Sequence, residues 1–261
     1  MPPFGPRWSE IRATLELAER WLLPGACLIC GEGIAGLLAP NTLDSDPLVC
    51  GPCLHRFAAL PHPQCLQCGQ PLSPGISCRL CAEWPGGLRG VRSAVWLDAP
   101  ARRAVHLLKY QGWWRLSGPL SGLMARRLQL PLHSTLVPIP LSASRERRRG
   151  YNQSAMLAEA LAVRSGGAVR EVLHRARDTG TQTALTPALR RANLSGAFRA
   201  TGQAPEFPVL VDDVFTTGAT LAEAATALLE AGAKAVSGVT FARALRPLEA
   251  ASAAGSTAHS R

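Results

Sequence analysis

The sequence has no stretch near the roughly 20 consecutive apolar residues that a membrane-spanning helix needs, so no membrane span is expected. A secretory pattern is missing as well. Glu10, Glu16 and Glu19 interrupt the N-terminal segment, and the mature protein is therefore expected to begin near Met1 and to be cytoplasmic. Lysine is almost absent: of 28 Lys and Arg residues, only Lys109 and Lys234 are lysines. Arginine's planar fork is the better bidentate ligand for phosphate. A formal charge of +10 fits a phosphate-rich partner, although basicity alone decides little. With 261 residues, 47% of them hydrophobic, the chain can bury a sizeable core in one large or two smaller domains.

The eight cysteines all fall between residues 27 and 81, as the C-x-x-C pairs Cys27/Cys30, Cys50/Cys53, Cys65/Cys68 and Cys78/Cys81. Two thiolates three positions apart on a tight turn form one knuckle, and two knuckles complete a tetrahedral four-thiolate site for structural Zn²⁺. Two structural zinc ions are expected. The favoured arrangement is sequential, the first two pairs holding one ion and the last two the other; the spacing leaves an interleaved arrangement open. Disulfides would need an oxidising compartment, for which there is no export signal. His55 and His62 are surplus to two full sites. Few large apolar side chains lie among the many Pro and Gly of this segment, so metal should be needed to fold it.

Four regions are expected: an amphipathic helix over 1–23, with a stripe through Trp8, Ile11, Leu15 and Leu22; the double zinc module over 24–88; an α/β domain over 89–246; and a disordered tail over 247–261. In the α/β domain, strands are expected at Val91 to Leu97 and Ser134 to Pro140, with helices at Arg102 to Lys109, Gly118 to Leu128 and up to about Arg164, the last capped by Asn152 or Ser154. The residues LSASRERRRGYNQS between strand and helix read as a basic loop, in which Arg145, Arg147, Arg148 and Arg149 can clamp pyrophosphate or a nucleic-acid backbone. Trp113 and Trp114 suit either base stacking or core packing.

The most informative stretch is FPVLVDDVFTTGATL, residues 207–221. A buried strand, Phe207 to Val211, leads to two carboxylates and a Thr/Gly-rich turn, and a helix from Ala219 to Ala231 follows. The turn from Thr216 through Thr217, Gly218 and Ala219 to Thr220 can offer backbone N–H groups and hydroxyls to one phosphate. Asp212 and Asp213, at the carboxyl end of a strand, suit the paired hydroxyls of a ribose or a hydrated Mg²⁺. The loop has neither a Gly-Lys-Ser/Thr ending nor a G-x-G-x-x-G run, which disfavours ATP and NAD.

VDDVFTTGAT resembles the phosphoribosyl-pyrophosphate (PRPP) loop of type I phosphoribosyltransferases. That resemblance implies a phosphoribosyltransferase-like parallel sheet flanked by helices, ribose binding by Asp212 and Asp213 with Mg²⁺, and 5′-phosphate binding by Thr216 to Thr220. Thr216 stands where purine-salvage members carry an acidic residue, which argues against a 6-oxopurine substrate. The multi-cysteine module, LLKYQG, VPIPL, RRRGYNQ, the segment from Arg175 to Phe198 and VDDVFTTGAT together resemble the ComF family, phosphoribosyltransferase-like proteins of DNA uptake in natural transformation. The resemblance runs from about Pro24 to Arg243. It implies a pyrophosphate or DNA-backbone site at Arg147, Arg148, Arg149 and Lys109, and a mobile loop carrying Arg175, Arg177 and Arg191. Its implied ligands and partners are PRPP or a ribose 5-phosphate, single-stranded DNA, and a helicase or other uptake machinery. Either the site binds without turnover, or the protein is an active Mg²⁺-dependent phosphoribosyltransferase with an unknown acceptor.

Overall fold

A computed structural model describes residues 25–34, 48–73, 78–176 and 196–244. The expected N-terminal helix and C-terminal tail, and Arg177 and Arg191, lie outside them. The first half of the described chain forms α1 (Gly51–Arg56), β1 (Leu88–Trp96), α2 (Ala99–Tyr110), a 3-10 turn (Trp114–Leu116), α3 (Ser117–Arg127) and β2 (Thr135–Pro138). The second half forms α4 (Ala143–Arg149), α5 (Gln153–Ser165), β3 (Ala168–Val169), β4 (Leu173–Arg175), β5 (Phe198–Ala200), β6 (Pro208–Phe215), α6 (Ala219–Glu230) and β7 (Val236–Arg243).

Five strands make one parallel sheet in the order β1-β7-β6-β2-β3. This is the helix-flanked α/β architecture expected from the sequence. β6 sits at its centre, and its side chains alternate: Val209 and Val211 enter the core on one face, Leu210 that on the other. β4 and β5 pair antiparallel as a separate two-stranded unit. Helix α5 starts where the Asn152 side chain accepts a 3.0 Å hydrogen bond from Ser154 N, and it buries Leu157, Ala158 and Leu161 against the first core. α6 buries Leu221, Ala224, Ala225 and Leu228 in the second.

Three departures from the sequence reading bear on the site. β6 does not stop at Val211: the ladder with β7 continues through Asp212, opposite Thr240, to Phe215, opposite Arg243. β7, itself unexpected, supplies the reason, since its long buried run offers pairing partners beyond the apolar stretch of β6. The arginine-rich segment is helical, because after Ser142 the residues ASRERRR include several good helix formers and Gly150 at φ +81° ends the helix.

The cysteine-rich segments pack on opposite faces. Cys27, Cys53 and Phe57 belong to the core that contains Val211 and Phe241, while Cys68 and Cys81 belong to the one that contains Leu210 and Leu228. Phe57 meets Phe241 edge-on at 5.6 Å, and Asp98, which caps α2, also accepts from Ala58 N at 3.3 Å. Neither knuckle group has to make a core of its own.

Candidate functional site

The cysteines gather into two groups, Cys27/Cys30/Cys50/Cys53 and Cys65/Cys68/Cys78/Cys81, with the four sulfurs of each within 4.8 Å of one another. The sequential pairing is therefore the one adopted. A tetrahedral ion with Zn–S bonds of about 2.3 Å requires S···S edges of about 3.8 Å. The observed separations are 3.8 Å for Cys30–Cys50, 3.7 Å for Cys65–Cys81, 3.5 Å for Cys68–Cys78 and 3.9 Å for Cys78–Cys81. No disulfide joins any of the eight. Gly31 and Gly69 close two knuckles at φ +82° and +69°, where a side chain would be strained. Burial pushes the Cys27 thiol up, but N–H groups of the knuckles, including those of Cys50 and Ile29 at 3.4 Å, overcome it and bring the thiol down to about 7. Burial prevails instead at Cys50, Cys53, Cys68 and Cys81, whose thiols are pushed up, so the fit to a metal rests on the sulfur geometry. Each group fits one Zn²⁺.

The two aspartates lie at the floor of an open cleft of about 410 Å³ at the carboxyl end of the parallel sheet. Asp213 is 3% exposed; its Oδ2 pairs with Lys109 Nζ at 2.5 Å, and its Oδ1 accepts from Gln153 Nε2 at 3.3 Å. Asp212 Oδ1 accepts from Ser154 Oγ and from Asp213 N, both at 2.9 Å. Burial and the neighbouring Asp213 charge push the Asp212 carboxyl up to about 7. Burial acts on Asp213 in the same direction, but the Lys109 charge and hydrogen bond prevail and hold its carboxyl below the usual range. Adjacent carboxylates therefore carry different protonation tendencies.

Thr216 and Thr220 line the same cleft. Thr217 and Ala219 line a smaller groove beside Trp84 instead, and Gly218 caps α6 at φ +77°. A Cβ at Gly218 would meet Trp84 at 2.3 Å and Phe215 at 2.9 Å, so the turn is closed against those two rings. Among the arginines, Arg102, Arg145 and Arg175 reach the cleft, and Arg149 bonds to Gln153 Oε1 and stacks over Tyr110 at 5.4 Å. Arg147 and Arg148 are exposed on α4 and do not line the cleft, because helical periodicity puts Arg145 and Arg149, four positions apart, on one face and turns the two residues between them away from it. Trp113 packs against the core; Trp114 is 40% exposed with Arg115 over its ring at 5.4 Å.

Sequence reasoning missed the work of Gln153 and Ser154 on the two carboxylates, having placed one in a loop and the other as a helix cap. The signal was two polar residues in the first turn of an otherwise apolar helix. His106 was missed too; it lines the cleft one helical turn before Tyr110, their rings 5.2 Å apart.

A protein of Salmonella typhi described as "DNA utilization protein YhgH" is 35% identical over 229 residues, covering 82% of this chain and 95% of its own. "Competence protein F" of Haemophilus influenzae is 30% identical over 202 residues, covering 72% of this chain and 87% of its own. The chain belongs to the ComF family. "Competence protein ComFC" of Bacillus subtilis extends the similarity, at 28% identity over 232 residues and 83% and 94% of the two chains. No general family profile matches. In this ComF family chain, no helix among the described residues is long and apolar enough to cross a membrane.

Proposed function

We propose that this ComF family protein serves DNA uptake in natural transformation from the cytoplasmic side, holding PRPP or a ribose 5-phosphate in its cleft and single-stranded DNA on its basic surface. The observation that carries this reading is the convergence of Asp212, Asp213, Lys109, Thr216 and Thr220 on one cleft at the end of a central parallel strand. Asp212 and Asp213 would take the ribose hydroxyls or Mg²⁺, and Thr216 and Thr220 with N–H groups opening α6 would take the 5′-phosphate. Arg145, Arg149 and Lys109 would balance the remaining phosphate charge. Exposed Arg147, Arg148 and the Trp114–Arg115 stack support single-strand binding, and the name of the Salmonella relative, a DNA utilization protein, supports a role that involves DNA. A helicase or other uptake component is the expected protein partner.

A second reading, an active transferase, is favoured by His106 and Tyr110 on the cleft wall, which phosphate and ribose bound as above would leave for an acceptor. Bound Mg²⁺ would supply charge neutralisation at the pyrophosphate. The chain's own contribution would be alignment and exclusion of water.

Thermal shifts with Mg²⁺-PRPP and with a single-stranded oligonucleotide, on wild type and on the Asp212→Asn, Asp213→Asn double variant, test both. PRPP stabilisation lost in the variant, with DNA stabilisation kept, is the expected result. No PRPP shift in the wild type would remove the ribose-phosphate reading, and pyrophosphate release in an acceptor screen would establish turnover.

A further inference from the structure

Arg243, the last residue of β7, is 1% exposed, and among the described residues no carboxylate pairs with it. Its Nη2 donates to the Cys68 carbonyl, while its Nε and Nη1 are buried without an acceptor. A buried guanidinium left this way is costly unless some other negative charge faces it. Among the described residues, the nearby source is the knuckle group that includes Cys68, since four thiolates around one Zn²⁺ carry a net double negative charge. At the other knuckle group, by contrast, the arginine bonded to the knuckle backbone, Arg103 on Leu28 O at 2.7 Å, is exposed to water.

The same guanidinium lies 3.8 Å over the Phe215 ring. Phe215 packs against Trp84 at 6.0 Å, and those two rings bracket Gly218 of the candidate phosphate turn. The chain of contacts is continuous.

We propose that Arg243 is the buried counter-charge of a metal ion held by Cys65, Cys68, Cys78 and Cys81, and a positioning residue that joins this ion through Phe215 to the turn at Thr216–Thr220. The second half of the proposal rests on the ribose-phosphate reading of the cleft; the first half does not. Groups around a metal's ligands commonly contribute about 10–100-fold to its affinity. Losing the counter-charge should therefore weaken one ion of the two and spare the other.

Zinc transfer from the full-length protein to a chromophoric chelator, in wild type, Arg243→Gln and Arg243→Lys, tests it. Arg243→Gln should lower the affinity of one ion by about 10–100-fold, leave the other unchanged and reduce PRPP stabilisation, while Arg243→Lys, which keeps the charge but not the planar fork stacked on Phe215, should lose clearly less zinc affinity than Arg243→Gln. Wild-type affinity of both ions in Arg243→Gln would overturn the proposal, and so would equal losses in the Gln and Lys variants, since a purely packing role would not distinguish them. If Arg243→Gln does not fold, Arg243→Lys decides: retention of both ions supports the assignment, and loss of one overturns it. If wild-type protein shows no PRPP shift, the cleft reading fails while the zinc affinities still decide the counter-charge.

Discussion

Lys109 Nζ stands 2.5 Å from Asp213 Oδ2, tying the last turn of α2 to the central strand β6 in a pair whose carboxylate side chain is 4% exposed. Removing one member of such a pair strands the other charge, at a cost of about 3 kcal/mol. Lys109→Met should therefore destabilise the protein by about that much in urea unfolding, and adding Asp213→Asn should recover part of the loss. Additive losses would mean that the two side chains are not coupled.

The protonation of Asp212 gives the cleft a pH dependence. Its carboxyl is raised to about 7 in the folded chain, against about 3.9 unfolded. Between those values the folded chain carries a proton that the unfolded chain has lost, so this group's contribution to stability falls as pH rises from about 4 to about 7. Asp213 runs the other way: its depressed carboxyl contributes stability above about pH 4 that is lost as pH falls through its folded value. On the ribose-phosphate reading proposed above, the ribose hydroxyls and Mg²⁺ would be held by Asp212 as a carboxylate. PRPP stabilisation should grow through pH 7 in calorimetric titrations, and Asp212→Asn should leave only a weak, flat residue.

Much of this site was legible because its parts are contiguous. The strand, carboxylates, turn and helix of 207–230 are neighbours in sequence, so apolar run, acidic pair and glycine could be read in order. The cysteine spacing favoured the sequential pairing but left the interleaved one open, and only the folded chain decides between them. What stayed hidden depends on non-local contacts: Gln153 and Ser154 reach Asp213 and Asp212 across 60 and 58 positions, and Arg243 reaches Cys68 across 175. β7 escaped notice because Gly238 and Thr240 dilute its apolar run, although β1 and β6 on either side bury it. The helix α4 was concealed by its charge, which marks a solvated surface in loop and helix alike.

Gly218 is the turn position least tolerant of change. At φ +77° an alanine costs about 1–2 kcal/mol, and the overlap of its Cβ with Trp84 and Phe215 adds about 1–3 kcal/mol. Gly218→Ala should lower thermal stability and weaken ribose-phosphate binding together, while Thr216→Ala, at an exposed position, should weaken binding with little change in melting temperature. An unaltered Gly218→Ala protein would contradict the closed turn.

Metal analysis of the purified protein should give two zinc ions per chain. Chelation should raise hydrogen exchange first in residues 25–34 and 48–73, which are held to the sheet through Phe57 and Cys68 rather than by a large core of their own. Cys53→Ser should release one ion and loosen the Phe57–Phe241 face, leaving the other ion bound. Loss of both ions from this single change would mean that the two centres fold as one unit.

The helical geometry of α4 divides the arginine cluster into two sets with separable effects. Arg147 and Arg148 face solvent, whereas Arg145 lines the cleft and Arg149 bonds to Gln153 beside it. Replacing Arg147 and Arg148 by Ala should weaken oligonucleotide binding equally across sequences and reduce the slope of log affinity against log salt by about 1.4, the value for two phosphate contacts on a single strand. PRPP stabilisation should be unaffected. Replacing Arg145 and Arg149 should do the reverse, lowering PRPP stabilisation while the salt slope changes little. Should both pairs shift both readouts by the same amount, DNA and ribose phosphate would be competing for one site, and the surface of α4 would have no role of its own in the footprint.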